Sequence, residues 1–337
     1  MSIATEVRPI FWDDVVGQES VITILTQQIK TKSFKNAYIF SGASGCGKTT
    51  VARIFARGIN GGKGNPIELD AASNNGVDDV RTLIGSASER SLDSEYKVVI
   101  IDECHMFSNS AWNAMLKTIE EPPKYTIFIF CTTDPQKIPQ TIQNRCMRFN
   151  FTRIPSHLIE KRLNEVCEKY HFINYEESTN FISRICNGEM RNALSLLETA
   201  SSYNNNLDIA NVISAIGSFS YDTYFDCINN IIDGNVSNTM DIIDSIYESG
   251  TDLRLFINRF IDFCLDVSKY TLCGEIGATK LPQSMEDKLK YTVGFDNASE
   301  YFFYIIDKLL ELKNMLKNDD EVKLTISVVM TQMCRLK

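Results

Sequence analysis

The chain has 337 residues, 44% of them hydrophobic and 23% charged, with a formal net charge of −9. Such a composition is that of an ordinary globular protein with room for two or three domains. It excludes a membrane span, because no apolar run nears the roughly 18 residues one needs.

Glu6 and Arg8 precede any apolar stretch, so no signal peptide is read. The ten cysteines include no C-x-x-C pair. They read as free thiols of a reducing cytosol, not as a disulfide frame or a structural zinc site. The acidity is uneven. Residues 1–153 carry 17 basic and 16 acidic side chains, and residues 218–337 carry 12 and 19. A polyanion partner would therefore meet the N-terminal part, and the C-terminal third would stand away from it.

In chain order, Arg8-Pro9 and Asp14-Val15-Val16-Gly17-Gln18 lead into a helical pattern with Val21, Ile22, Leu25 and Ile29 on one face. The apolar run Ala37–Phe40 then enters Ser41-Gly42-Ala43-Ser44-Gly45-Cys46-Gly47-Lys48-Thr49-Thr50, and a helix follows. Strand, glycine loop and helix in that order, with G-x-x-x-x-G-K-T met by Gly42, Gly47, Lys48 and Thr49, form a P-loop. Its glycines let backbone N–H groups curl around a phosphate, and the helix N-terminus adds its positive end. Lys48 is expected on the β- and γ-phosphates, and the Thr49 hydroxyl on Mg²⁺. Cys46 reads as a small tolerated residue, and an exposed thiol there would make nucleotide binding sensitive to oxidation.

Four more apolar runs follow, at 67–70, 98–102, 127–131 and 147–150, with helices near 77–88 and 108–120 between them. Near-continuous apolar strands alternating with helices predict a parallel sheet in a doubly wound α/β domain. Its ligands belong beyond the carboxyl ends of the strands. The run at 98–102 ends in Asp102-Glu103-Cys104-His105, a Walker B pattern. Asp102 would share Mg²⁺ with Thr49, and Glu103 would act as general base on water. His105 is read as a packed residue near the site. The run at 127–131 ends in Thr132-Thr133-Asp134-Pro135, and either threonine is placed to sense the γ-phosphate; the residues do not decide which. Arg145, just before the last strand, is out of reach of its own P-loop and suits a neighbour's nucleotide, as an arginine finger does. Arg191, in the first turn of a later helix where a cation opposes the dipole, suits a lid sensor.

Past Phe151 the strand signals stop. Helices are predicted over 155–170, 176–186 and 189–202, then over 221–232, 236–248, 252–270, 283–292, 299–317 and 320–335. Asn204-Asn205-Asn206 and Gly217-Ser218 punctuate the pattern. Phe225, Phe256, Phe260, Phe263, Phe302 and Phe303 recur at helix-face spacings and are read as core. The expected domains are an α/β nucleotide-binding domain at 1–153, a three-helix lid at 154–217 and an all-α domain at 218–337.

These motifs carry a resemblance. Asp14–Gln18, the P-loop, Leu69-Asp70-Ala71-Ala72-Ser73, Asp102-Glu103-Cys104-His105-Met106, Glu120-Glu121-Pro122-Pro123, Thr132–Lys137 and Asn144-Arg145-Cys146 together resemble the gamma/tau subunits of the bacterial DNA polymerase III clamp loader, which are AAA+ ATPases. The resemblance is dense over 8–200 and thinner over 218–337. It implies an ATP-driven subunit of a pentamer, homo- or hetero-oligomeric, joined through a collar at 218–337. ATP binding would open a sliding clamp and engage primer–template DNA, and hydrolysis would release the loaded clamp. Val15, Val16 and Gly17 would lie near adenine, and Gly42 to Thr50, Asp102 and Arg191 would hold ATP and Mg²⁺. Arg145 would act in trans. A cytoplasmic location is implied.

Three departures stand out. Where the family carries four zinc-binding cysteines this chain has Gly61-Gly62-Lys63-Gly64-Asn65-Pro66, so no zinc is expected. The serine before the finger arginine is Asn144. After Ser73 the family tends to be basic, whereas this chain has Asn74-Asn75-Gly76 and Arg81, which is taken as the DNA contact. A compact, zinc-free build would suit a bacteriophage. Other readings are a non-hydrolysing scaffold subunit of the same loader, a branch-migration or initiator ATPase, or a small-molecule kinase. Intact Lys48, Thr49, Asp102 and Glu103, together with Arg145-Cys146 and the helical C-terminal third, argue against these.

Overall fold

The computed structural model describes residues 2–91, 93–216 and 221–335. The chain divides into two compact units, Met1–Tyr170 with Ile182–Glu198, and His171–Phe181 with Thr199–Lys337.

The first unit opens with the one-turn helix α1 (Ile3–Glu6) and a 3-10 turn at Trp12–Asp14, and continues through α2 (Glu19–Thr31) into the sheet. The order is then β1 (Ala37–Gly42), α3 (Lys48–Ile59), β2 (Ile67–Asp70), α4 (Val77–Ser88), β3 (Lys97–Asp102), α5 (Asn109–Glu120), β4 (Thr126–Thr132), α6 (Gln140–Gln143) and β5 (Met147–Phe151). The five strands are all parallel, in the order β2-β3-β4-β1-β5. The expected parallel sheet is therefore present. Every residue of β4 is buried, as a central strand covered on both faces must be.

Alternation along the strands sends side chains to two separate cores. Ile39, Val99, Ile101, Phe128 and Phe130 pack with Val80 and Leu83 of α4 and Trp112 and Met115 of α5. Tyr38, Phe40, Val98, Ile100, Ile127 and Ile129 pack with Val21 and Leu25 of α2 and Val51 and Phe55 of α3. Helices on both faces leave the carboxyl ends of the strands free for chemistry. The hydroxyl of Ser108 accepts from the Ala111 N–H at 3.2 Å, and so caps the start of α5.

Three helices follow, α7 (Ser156–Tyr170), α8 (Glu176–Ile185) and α9 (Met190–Tyr203), close to the expected spans. Next comes α10 (Ile209–Ala215), which the sequence reading passed over. Its signals were local. Asp208 caps it by accepting from Asn211 N–H at 2.9 Å, and Val212 and Ile213 are buried. The punctuation expected at Gly217-Ser218 lies outside the described residues.

The second unit is helical: α11 (Tyr221–Ile232), α12 (Val236–Glu248), α13 (Leu253–Cys273), α14 (Glu286–Thr292), α15 (Ala298–Met315) and α16 (Val322–Cys334). Its core joins Tyr224, Phe225 and Ile228 of α11 to Phe256, Phe260 and Phe263 of α13 and Phe302, Ile305 and Leu309 of α15. The rings of Phe256 and Phe260 stack 5.7 Å apart, and Tyr224 lies 5.6 Å from Phe256. Burying each such ring is worth roughly 1.5–3 kcal/mol. One expected core residue is corrected. Phe303 is 54% exposed, because its neighbour Phe302 takes the inward position and the next helical residue is turned about 100° away. Among the described residues no helix is long and apolar enough to cross a membrane.

Candidate nucleotide-binding site

The glycine loop leaves β1 at Gly42 and enters α3 at Lys48. At Gly42 φ is +154°, and a Cβ would sit 2.2 Å from the Phe151 carbonyl oxygen, so only glycine fits between β1 and β5. At Gly45 φ is +65°, and a Cβ would approach Glu189 and Arg191 within 3.1–3.3 Å. Met190 N–H also donates to the Gly45 carbonyl at 3.1 Å. The loop is thus closed on one side by the start of α9.

Lys48 is only 6% exposed, and its ammonium donates to the carbonyls of Gly42 and Ala43 at 2.9 and 2.8 Å. A buried cation is held by two loop carbonyls, with a third N–H left to give. Cys46 is 1% exposed, and its thiol donates to the Ala43 carbonyl. Burial pushes that thiol above its ordinary pKa. The reading of Cys46 as a small tolerated residue fits this burial, and the conditional oxidation-sensitive thiol does not.

Thr49 Oγ1 donates to Asp102 Oδ2 at 2.8 Å. A hydroxyl and a carboxylate side by side at the mouth of a phosphate-sized loop are hard oxygen donors of the kind Mg²⁺ prefers, so these residues fit the ion. Glu103 follows with φ +46° and ψ +41°, a left-handed conformation uncommon for a non-glycine residue. Its Oε2 accepts from Thr133 Oγ1 at 3.0 Å and lies 3.2 Å from His105 Nδ1. The same Nδ1 is 3.2 Å from Thr132 Oγ1. Thr132 is fully buried and accepts from the Asp134 N–H at 3.0 Å. The two threonines part where β4 ends: Thr133, just past the strand, touches the carboxylate, and Thr132, its last residue, touches His105. His105 is half-buried, its side chain 12% exposed, and it is bonded into this group.

Lys48, Thr49, Asp102 and Glu103 line a cleft of about 300 Å³ together with Val15, Val16, Ser44 to Gly47, Thr50 and Arg191; His105, Thr132 and Thr133 bond to Glu103 or to one another and do not line it. Gly17, Gly42 and Ala43 do not line it, though the carbonyls of Gly42 and Ala43 hold the Lys48 ammonium. Among the described residues Arg145 and Arg81 do not line it. Arg145 is 41% exposed; its Nη1 donates to the Thr141 carbonyl at 2.8 Å and its Nη2 pairs with Glu120 Oε1 at 2.7 Å. Arg81 is 68% exposed on α4 and pairs with Asp78 at 3.1 Å, a contact of small energetic weight.

Two further residues belong to the site. Gln18 is 6% exposed with φ +66°. Its amide donates to the carbonyls of Cys46 and Thr152 at 3.3 and 2.7 Å and accepts from the Thr152 N–H at 3.1 Å. It ties the loop to the end of β5, and the Gly-Gln pair before a helix was its signal. Arg8 lines the cleft wall. Partial burial and the nearby guanidinium groups of Arg53 and Arg191 lower its pKa, with Glu68 and Asp102 acting the other way. Such gathering of cations suits a polyanion. Only the Arg8-Pro9 pair hinted at it in the sequence.

Comparison with known proteins agrees with this geometry. Residues 67–155 match the family model described as DNA polymerase III, delta subunit, and residues 207–292 match that of DNA polymerase III subunits gamma and tau domain III. The chain is 33% identical to DNA polymerase III subunit tau of Bacillus subtilis, over 97% of this chain and 62% of that protein. It is 30% identical to subunit gamma/tau of Mycoplasma genitalium, over 91% and 54%, and 32% identical to subunit tau of Escherichia coli, over 74% and 42%. The chain thus spans less than two thirds of these curated relatives. A solved structure of the Thermotoga maritima RuvB Holliday junction branch migration motor superposes with a TM-score of 0.53 at 17% identity, over 67% of this chain and 79% of that one. That likeness is one of fold.

Proposed function

Taking as premise that the chain belongs to the gamma/tau family of DNA polymerase III subunits, a family of AAA+ clamp-loader proteins, we propose that it is the ATP-hydrolysing subunit of a sliding-clamp loader. ATP binding opens the clamp and engages primer–template DNA; hydrolysis releases the clamp. Residues 1–153 hold the nucleotide, 154–217 form a lid, and 218–337 join the subunits of a pentamer. The cytoplasm is where it acts.

The observation that carries this reading is the continuous bonded group Thr49–Asp102–Glu103–Thr133 at the start of α3 and the ends of β3 and β4. Loop N–H groups from Gly45 to Thr50 wrap the phosphates, and Lys48 turns its third N–H onto them. Thr49 and Asp102 would hold Mg²⁺, which would supply charge neutralisation at the phosphates. Glu103 takes the proton of the attacking water, and Thr133 orients that carboxylate and senses the γ-phosphate. Arg191 reports the γ-phosphate from the start of α9, and Val15, Val16 and Gly17 border the base. Arg145 reaches a neighbour's nucleotide, and Arg81 meets DNA phosphates.

The test pairs chemistry with company. Glu103→Gln should bind ATP with wild-type affinity and turn it over roughly 10²–10⁴-fold more slowly. Affinity capture of the chain from its native host should bring down a ring-shaped clamp and small loader subunits. Normal turnover by Glu103→Gln removes the base assignment, and capture of neither partner removes the clamp-loader reading.

A further inference from the structure

We infer that Glu120 is a positioning residue for Arg145: with the Thr141 carbonyl it holds the guanidinium by one edge and presents the other to a neighbouring copy. This rests on the reading of Arg145 as an arginine acting in trans.

The geometry is that of a residue fixed at both ends. The Arg145 backbone N–H donates to the Ile142 carbonyl at 3.0 Å, at the close of α6. At the far end, Nη1 donates to Thr141 O and Nη2 to Glu120 Oε1. A guanidinium has five N–H donors in a rigid fork, so these two bonds leave three for an anion. The side chain is 41% exposed and stands outside its own subunit's cleft.

Glu120 itself needs a reason. It is the last residue of α5 and is followed by Glu121. Two carboxylates at the negative end of a helix oppose the dipole. A pairing between exposed charges adds little to folding, so stability does not account for the acid there. Ordering does. A long arginine loses its rotamer freedom when it meets a phosphate. Here the loss is taken when the subunit folds, before any neighbour arrives. The resulting contact is head-to-tail, with Glu120, Thr141 and Arg145 on one copy and the cleft on the next.

The test uses the loader assembled with its own partners, with ATP and primed DNA. Glu120→Gln and Glu120→Ala should lower DNA-stimulated kcat by roughly three- to tenfold, with KM for ATP and the thermal midpoint unchanged. In an Arg145→Ala background, Glu120→Ala should have no further effect. Subunits carrying Glu103→Gln with Glu120→Ala should depress turnover by wild-type neighbours more than Glu103→Gln alone. Wild-type kcat in both Glu120 variants overturns the inference, and a rise would make Glu120 a brake instead. Full turnover by Arg145→Ala overturns the trans-arginine reading itself, whatever Glu120 does.

Discussion

At the start of α3 and the carboxyl ends of β3 and β4, the side chains of Thr49, Asp102, Glu103, His105, Thr132 and Thr133, with the Glu103 backbone N–H, are joined by contacts of 2.8–3.2 Å. Across α11 and α13 the corresponding work is done by rings, with Tyr224, Phe256, Phe260 and Phe263 stacked 5.5–6.2 Å apart. The first region places charge to within a bond length, and a change of one atom alters chemistry. The second fills space, and a change of volume alters stability. The same chain therefore has one part where polar geometry is the product and another where it is nearly absent.

Phe260→Ala gives the largest effect by which this contrast can be broken. Phe260 is fully buried between Tyr224, Phe256 and Phe263. Its loss should cost about 3–5 kcal/mol in denaturant unfolding of the helical unit. ATP affinity, read by titration of the folded protein, should stay at the wild-type value. A parallel loss of ATP affinity would show that the cleft depends on that core.

Gln18→Ala is the reverse experiment and a smaller one. It leaves the Thr152 N–H and the carbonyls of Thr152 and Cys46 without their buried partner. The expected cost is about 1–3 kcal/mol, accompanied by weaker ATP binding because the loop is no longer tied to β5. Unchanged ATP affinity would mean that the loop keeps its shape without that tie.

The two regions also differ in how far a sequence reveals them. The five parallel strands were legible because runs such as Val98–Ile101 are apolar on both faces, and the P-loop because each residue has a steric or electrostatic duty. Helices 77–88 and 221–232 fell where periodicity put them. Contacts made across distant segments were not legible. Which of Thr132 and Thr133 meets Glu103 depends on the facing of β4 against a turn 30 residues earlier. Gln18 acts on Thr152, 134 residues away. Phe303 kept the right spacing and chemistry, and only the choice between adjacent rings put it outside.

Arg81→Ala should have the smallest effect. The residue lies on the exposed face of α4 among Asp78 and Asp79, and its ion pair with Asp78 is solvent-exposed. Stability should move by less than ~0.5 kcal/mol. The effect on DNA is of a different kind. An arginine on a phosphate releases counterions, so its removal should lower the slope of log affinity against log salt by about 1, uniformly across sequences. An unchanged slope would place DNA on another face. The neighbouring acids already limit what Arg81 can add, because Asp78 and Asp79 repel the same phosphates that Arg81 would attract. Asp78→Asn should therefore strengthen DNA binding if Arg81 faces DNA, and leave it unaltered if α4 faces solvent.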